Sequence, residues 1–227
     1  NKVGTMMQAA RETEKERNNK ILYRIRNNDP SFTQIKISWP GSYDIAFSLL
    51  GDDWEGLEEM GNCIGRNTHL THMTLYMDLN EELPDEDDDD YDEYAEPQAL
   101  PDNDPRMKQT LMFCKGLATN TSIQSLHLHT VGNIFSLLNP FFKNNPNLNE
   151  LVIHDCRDYY QWCEDFISAL RDCVSLKCVK IEYMEREGED SGEIFQTLRI
   201  HQPQLEVLEY PFNSLNRRMS TGVEELT

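Results

Sequence analysis

Apolar residues recur along this chain in one pattern: at a starting position and again three and five residues later. The sets are Phe32/Ile35/Ile37, Leu70/Met73/Leu75, Ile123/Leu126/Leu128, Leu148/Leu151/Ile153, Leu176/Val179/Ile181 and Leu205/Leu208/Tyr210. Residues two apart point to one side of a strand, so the last two members of each set predict a short strand with one buried face. Upstream of every set stands a second apolar pair. Ten residues before the set are Leu22, Met60, Phe113, Leu138, Phe166 and Phe195. Six or seven before it are Ile25, Ile64, Leu117, Phe142, Leu170 and Leu198. Within a pair the spacing is three or four residues, which puts both members on one helical face. Between helix and strand come Asn28-Asp29-Pro30, Asn67-Thr68, Asn120-Thr121, Asn145-Pro146 and Gln202-Pro203. Asn tolerates the left-handed turn that ends a helix, and Pro beyond it cannot continue one. Pro140 should leave its own helix kinked or short.

The unit is therefore helix, short loop, short strand. Successive units start 38, 53, 25, 28 and 29 residues apart, so the first two intervals carry insertions. One insertion, near Pro40 to Ser48, alternates Tyr43, Ile45 and Phe47 and suggests a small extra strand or a packed loop. A single unit cannot bury both its strand and its helix face. Stacking buries them in a shared core, with parallel strands about 4.8 Å apart.

The stretches Leu205–Leu215 and Leu148–Cys156 fit the pattern LxxLxLxxN/CxL. Gly51 through Leu70 looks like a long, helix-containing repeat. On these segments the chain resembles the leucine-rich repeat proteins of the ribonuclease-inhibitor-like class, over roughly residues 20–215. The resemblance implies an α/β fold: a right-handed leucine-rich repeat solenoid of about six helix–strand repeats, with a parallel sheet on the concave side and helices on the convex side. The expected layout is an N-terminal helical cap over residues 1–31, then a repeat domain over 32–227 with a disordered acidic insertion at about 79–106. The position eight residues into each set reads Pro40, Asp78, Val131, Cys156, Met184 and Asn213, so the polar ladder of that turn should be incomplete. After Tyr210 only 17 residues remain, too few for another repeat, and the edge of the last strand is expected to be open.

Charge sharpens the picture. The chain has 227 residues, with 40 acidic against 21 basic, a net charge of −19. Residues 1–26 run the other way, with seven basic and three acidic. Residues 78–96 carry 12 acidic residues and no basic one, and without them the net charge would be −7. Self-repulsion and scarce apolar content predict disorder there. The run lacks the spacing and glycine turn of a calcium loop. It is either a solvated loop or a flexible polyanion, with Asp85, Glu86, Asp87, Asp88, Asp89 and Asp90 as the residues that would recruit a basic protein.

The acidic balance argues against bare nucleic-acid backbones and anionic membranes as partners. No apolar run approaches the roughly 20 residues of a membrane-spanning helix. Asn1–Gln8 lacks the apolar core of a signal peptide. Six cysteines without a CxxC pair read as buried, reduced thiols, and the expected location is cytoplasmic or nuclear. The sequon Asn120-Thr121-Ser122 is then incidental, and Arg217-Arg218-Met219-Ser220 is a short match to a basophilic kinase site.

Side chains that alternate with the buried strand positions should line the concave face. One row reads Gln34, His72, Ser125, Glu150, Cys178, Val207; the next Lys36, Thr74, His127, Val152, Lys180, Glu209; the last Ser38, Tyr76, His129, His154, Glu182, Pro211. Four of the six histidines fall here. His129 and His154 should be neighbours in one row with Glu182 next. That spacing allows a zinc or copper site on His129, His154 and His127 or Glu182. It also allows a pH-responsive face. The reading taken is a set of protein-contact residues: Tyr76, His72, His127, His129 and His154, flanked by Lys36, Lys180 and Glu182. No metal and no cofactor is expected.

Catalysis lacks support, since G-x-S-x-G, Walker-type, G-x-G-x-x-G and H-E-x-x-H motifs are all missing. The expected function is a non-catalytic scaffold that binds a protein through the concave strand face. Two alternatives remain. The acidic run could carry a basic protein, or, by the resemblance to the repeat class, the chain could regulate a small GTPase.

Overall fold

The computed structural model describes residues 16, 19–38, 56–78, 101, 103–131, 134–155, 168–171, 173–182, 200, 204–212 and 220–225. Six strands follow in chain order: β1 (Gln34–Ser38), β2 (His72–Asp78), β3 (Ser125–Val131), β4 (Glu150–Asp155), β5 (Cys178–Ile181) and β6 (Val207–Phe212). Each runs parallel to the next. Helical segments precede the strands: α1 (residues 19–26), α2 (Leu57–Arg66), α3 (Pro105–Leu117), α4 (Phe135–Asn144) and a short α5 (residues 168–171). Strand order equals chain order, as a solenoid of stacked units requires. The architecture is an α/β solenoid of the leucine-rich repeat type.

The repeat phase sets the register. Ile35, Met73, Leu126, Leu151, Val179 and Leu208 pair one to the next across all six strands. Ile37, Leu75, Leu128, Ile153 and Ile181 form the parallel row beside them. Every described side chain of the strand pattern is buried, from Phe32 to Leu205. The helix-face residues Ile25, Met60, Ile64, Phe113, Leu117, Leu138, Phe142 and Leu170 close the same core from the other side. Phe166, Phe195, Leu198, the alternating insertion and residues 79–96 of the acidic run lie outside the described residues. Asp104 starts α3 by accepting from the Arg106 N–H at 2.7 Å, with Pro105 at the first helical position, where its missing N–H costs nothing. The helix with Pro140 inside it, α4, is ten residues long.

The loops differ from expectation in their physical cause. Asn28 takes a left-handed backbone, φ 51°, and is the one non-glycine residue to do so among those described. Asn67 and Asn145 end their helices with φ −74° and −98°, so their asparagines do not serve a left-handed turn. Their side chains are the reason. Asn67, Asn120 and Asn145 are buried, each three residues before a strand pattern, and form a ladder that ties loop to loop. The Asn67 Oδ1 accepts from the His69 and Leu70 N–H groups. Asn120 repeats this with Ser122 and Ile123 and also donates to the carbonyls of Ile64 and Asn67 in the preceding unit. Two residues after Asn120, and after Cys173 at the same place in a later unit, the Ser122 and Ser175 hydroxyls donate to the Leu70 and Leu148 carbonyls one unit back. A polar ladder is therefore present on the helix-to-strand turn, while Pro40, Cys156, Met184 and Asn213 of the turn after the strand lie outside the described residues. With its amide buried and bonded, Asn120 cannot serve as a glycan acceptor in the folded chain.

The last strand is not left open. A seventh strand, β7 (Ser220–Glu225), pairs antiparallel to β6 from Val207↔Glu225 to Phe212↔Ser220. A hairpin return satisfies the β6 edge with few residues.

Candidate functional site

Lys36, Tyr76, His129, His154 and Glu182 form one continuous line of contacts across the strand face opposite the helices. The Lys36 ammonium sits 4.3 Å from the Tyr76 ring centroid. Tyr76 stacks on His129 with centroids 4.0 Å apart and planes 13° apart. His129 stacks on His154 at 3.8 Å and 7°. The Nδ1 of His154 then meets Glu182 Oε2 at 2.5 Å. The parallel ladder places one side chain per strand at close to the thickness of a stacked ring pair, so the rings become face-to-face neighbours.

One step departs from the predicted row. His129 does not pair with His154 in the backbone ladder. Register holds through Leu128↔Ile153 and then slips, so that His129 faces Asp155. His154 is the extra residue of a bulge in β4, and a bulge re-aims the side chain it carries. The His154 ring thereby reaches both neighbours: it stacks on His129 and points Nε2 at the Nδ1 of His127, 3.1 Å away. The sequence carries no sign of this slip, because the last buried position that fixes the phase of β4 is Ile153.

His127 and His154 have ring centroids 5.3 Å apart. That is close to the largest separation a 3.1 Å nitrogen contact allows, so the rings meet end-on. Their nitrogens face each other as donor and acceptor and do not converge on a third point, as two ligands of one ion would. Among the described residues no three His, Cys, Asp or Glu side chains gather where they could hold a metal.

The other predicted concave residues are placed as follows. His72 is exposed at the start of β2, its Nδ1 2.8 Å from the Thr71 hydroxyl. Lys180 is half-buried on β5, beside Val152 of β4. Ser38, Ser125 and Val152, counted as exposed from the alternation, are buried. Ser125 is covered through its hydroxyl bond to Glu150 at 2.6 Å. The acidic residues Asp85, Glu86, Asp87, Asp88, Asp89 and Asp90 lie outside the described residues. Cys63, Cys114 and Cys173 are free, buried thiols, and burial pushes Cys114 up to about 12.

Removal from water holds His129 down from the ordinary 6.5 to about 4, with the neighbouring His154 and Lys36 adding to it. His127 is lowered too, first by burial and then by His154. The unfolded chain therefore takes up these protons before the folded one does. Stability should fall as pH drops from 6.5 towards about 4 and level off below it. Asp29, lowered to about 2 chiefly by its Arg24 hydrogen bond, acts in a separate window below its ordinary 3.8. Melting curves across that upper window test the assignment. His129→Phe, which keeps a stacking ring, should flatten the slope, and an unchanged slope would place the sensitivity elsewhere.

A strand row of stacked rings on a repeat solenoid defines a leucine-rich-repeat-type domain with an ordered concave face. No family model matches the chain, and none of the curated proteins matches it. Among solved structures it is similar to the actin-binding site 2 of leiomodin-1, at 15% identity and TM-score 0.49, over 82% of this chain and 87% of that one. It is also similar to the tropomodulin C-terminal domain from Caenorhabditis elegans, at 12% identity and TM-score 0.46, over 80% of this chain and 91% of that one. Among the described residues no helix is long and apolar enough to cross a membrane.

Proposed function

We propose that the chain is a non-catalytic protein-interaction module whose contact surface is the concave strand face, centred on the Tyr76–His129–His154 stack. The observation that carries this reading is the order of the stack. Stacked rings with an ion at either end lose little freedom on binding, and rigid aromatic anchors supply contact area with directional bonds. His72 and His127 extend the patch along the sheet, and Lys36, Lys180 and Glu182 set its charged rim.

Site-specific photocrosslinking tests the reading. A photoreactive phenylalanine goes in place of His72, exposed at the start of β2 on the strand that carries Tyr76, and in a second sample in place of Lys108, exposed on α3. A shared cellular partner should crosslink from His72 and not from Lys108. Crosslinks from the Lys108 position alone would move the contact surface to the helices. Purified actin forms a separate arm, because one similar structure is an actin-binding site, and its outcome names or removes one partner.

A further inference from the structure

We propose that Glu182, His154 and His127 form a proton relay that sets whether the concave face presents a hydrogen-bond acceptor or a donor at the Nε2 of His127. The inference deepens the reading of this face as a contact surface and rests on it for its use. The relay itself is a property of the isolated chain.

The geometry assigns the protons. An ionised carboxylate only accepts, so the 2.5 Å contact to Glu182 Oε2 puts a proton on His154 Nδ1. While His154 is neutral its Nε2 is then bare. The 3.1 Å contact requires one proton between the two rings, so His127 Nδ1 carries it and donates. A neutral His127 protonated at Nδ1 has a bare Nε2, an acceptor. Now one proton is added from solvent at His127 Nε2. The Nδ1 proton passes to His154 Nε2, one N–H bond breaking as the other forms. His154 becomes an imidazolium between Glu182 and His127. His127 is neutral again as the other tautomer, with Nε2–H a donor. One proton has entered, and the charge rests one strand away from where it entered.

The surroundings favour that resting place. His154 is bonded to the Glu182 carboxylate at one ring nitrogen and to a neutral ring at the other. His127 is partly withdrawn from water, which disfavours charge on its own ring. The groups that act on it are His72 from β2, His154 and Glu150 from β4, and Glu182 beyond β5. Lys36, Tyr76 and His129 complete the surface through the stack. A partner hydroxyl or ammonium suits the bare nitrogen. A partner carboxylate or carbonyl suits the protonated one.

Imidazole nitrogen NMR on the purified full chain, labelled in its histidines, reads the tautomer directly. The range from about pH 8 to about pH 5.5 spans ordinary imidazole titration. The expected result is an exchange of roles at His127, with Nδ1 protonated at the upper end and bare at the lower. In His154→Phe, which keeps a ring against His129 and removes both nitrogens, the exchange should vanish. In Glu182→Ala, an exposed change that should leave folding intact, the His127 signals at the upper end should become averages of the two tautomers. The proposal is overturned if the same His127 nitrogen carries the proton at both ends. It is equally overturned if the exchange survives in His154→Phe, or if Glu182→Ala changes nothing. None of these readings needs a partner, so they can fail while the contact surface stands, and the reverse.

Discussion

Gly116→Ala lowers the stability of the chain by about 3 kcal/mol, although alanine is the better helix former by about 1 kcal/mol. Gly116 lies in α3 against α2, and a Cβ built on it would stand 2.5 Å from the Asn62 nitrogen and 2.5 Å from the Gly61 carbonyl carbon. Both are backbone atoms of a helix and cannot swing aside. Gly61 and Gly65 face the same contact from α2, with built Cβ atoms 2.3 Å from the Phe113 oxygen and 2.1 Å from the Gly116 oxygen. The two helices thus touch backbone to backbone, and room for a methyl group has to come from moving one of them. That motion would disturb Met60, Ile64, Phe113 and Leu117, which pack into the core below. Thermal denaturation checks the result: a loss of this size corresponds to a fall of about 9 °C for a chain of this length. A gain in stability, as intrinsic helix propensity alone would give, would contradict the close approach.

Asn120→Ala is the other large effect, a loss of about 4 kcal/mol. The side chain is fully buried and accepts from the Ser122 and Ile123 N–H groups at 2.8 and 2.9 Å. It donates to the Ile64 and Asn67 carbonyls at 2.7 and 2.9 Å. Alanine leaves the buried Ile123 N–H and the half-buried Ser122 N–H without that acceptor, and a buried group so left costs about 1–3 kcal/mol. The carbonyls suffer less, because Ile64 also accepts from the Asn67 N–H and Asn67 from the Ser122 hydroxyl. Asn120→Asp separates the two roles. It keeps the acceptors and loses the donors, and it brings a carboxylate against two carbonyl oxygens. Denaturant unfolding should rank the chains as parent, then either variant well below it. If Asn120→Ala changed the midpoint no more than a surface substitution does, the ladder would hold nothing together.

The fold was legible because burial repeats. Three apolar positions per strand and two per helix, kept in phase over six units, leave one way to stack them, and the observed register follows that phase from Ile35 to Leu208. What escaped was decided by contacts that no apolar period records. Gly61, Gly65 and Gly116 look like ordinary interior glycines until two helices are laid together. Asn67, Asn120 and Asn145 were visible, but asparagine serves either a left-handed backbone or a side-chain cap, and the sequence does not say which. Their recurrence three residues before three of the six strand patterns, with serine two further on at Ser122, was the signal that could have separated the two. At the concave face the rows held up to Leu128 and Ile153. Beyond Ile153 the sequence offers no apolar position in β4 that would fix the phase, so the bulge at His154 left no trace in it. The hairpin of β7 escaped for a related reason: an antiparallel return needs only a few residues of backbone and no repeat signature.

Photocrosslinking from two positions in the same lysate, His72 at the start of β2 and Tyr91 within the acidic run, decides whether the strand face with its stacked rings meets the partner. The expected result is a discrete partner captured from His72, retained in high salt, and lost when His129 and His154 are both changed to alanine. Capture from Tyr91 alone, abolished by salt and indifferent to the histidines, would contradict it and make the acidic run the working part.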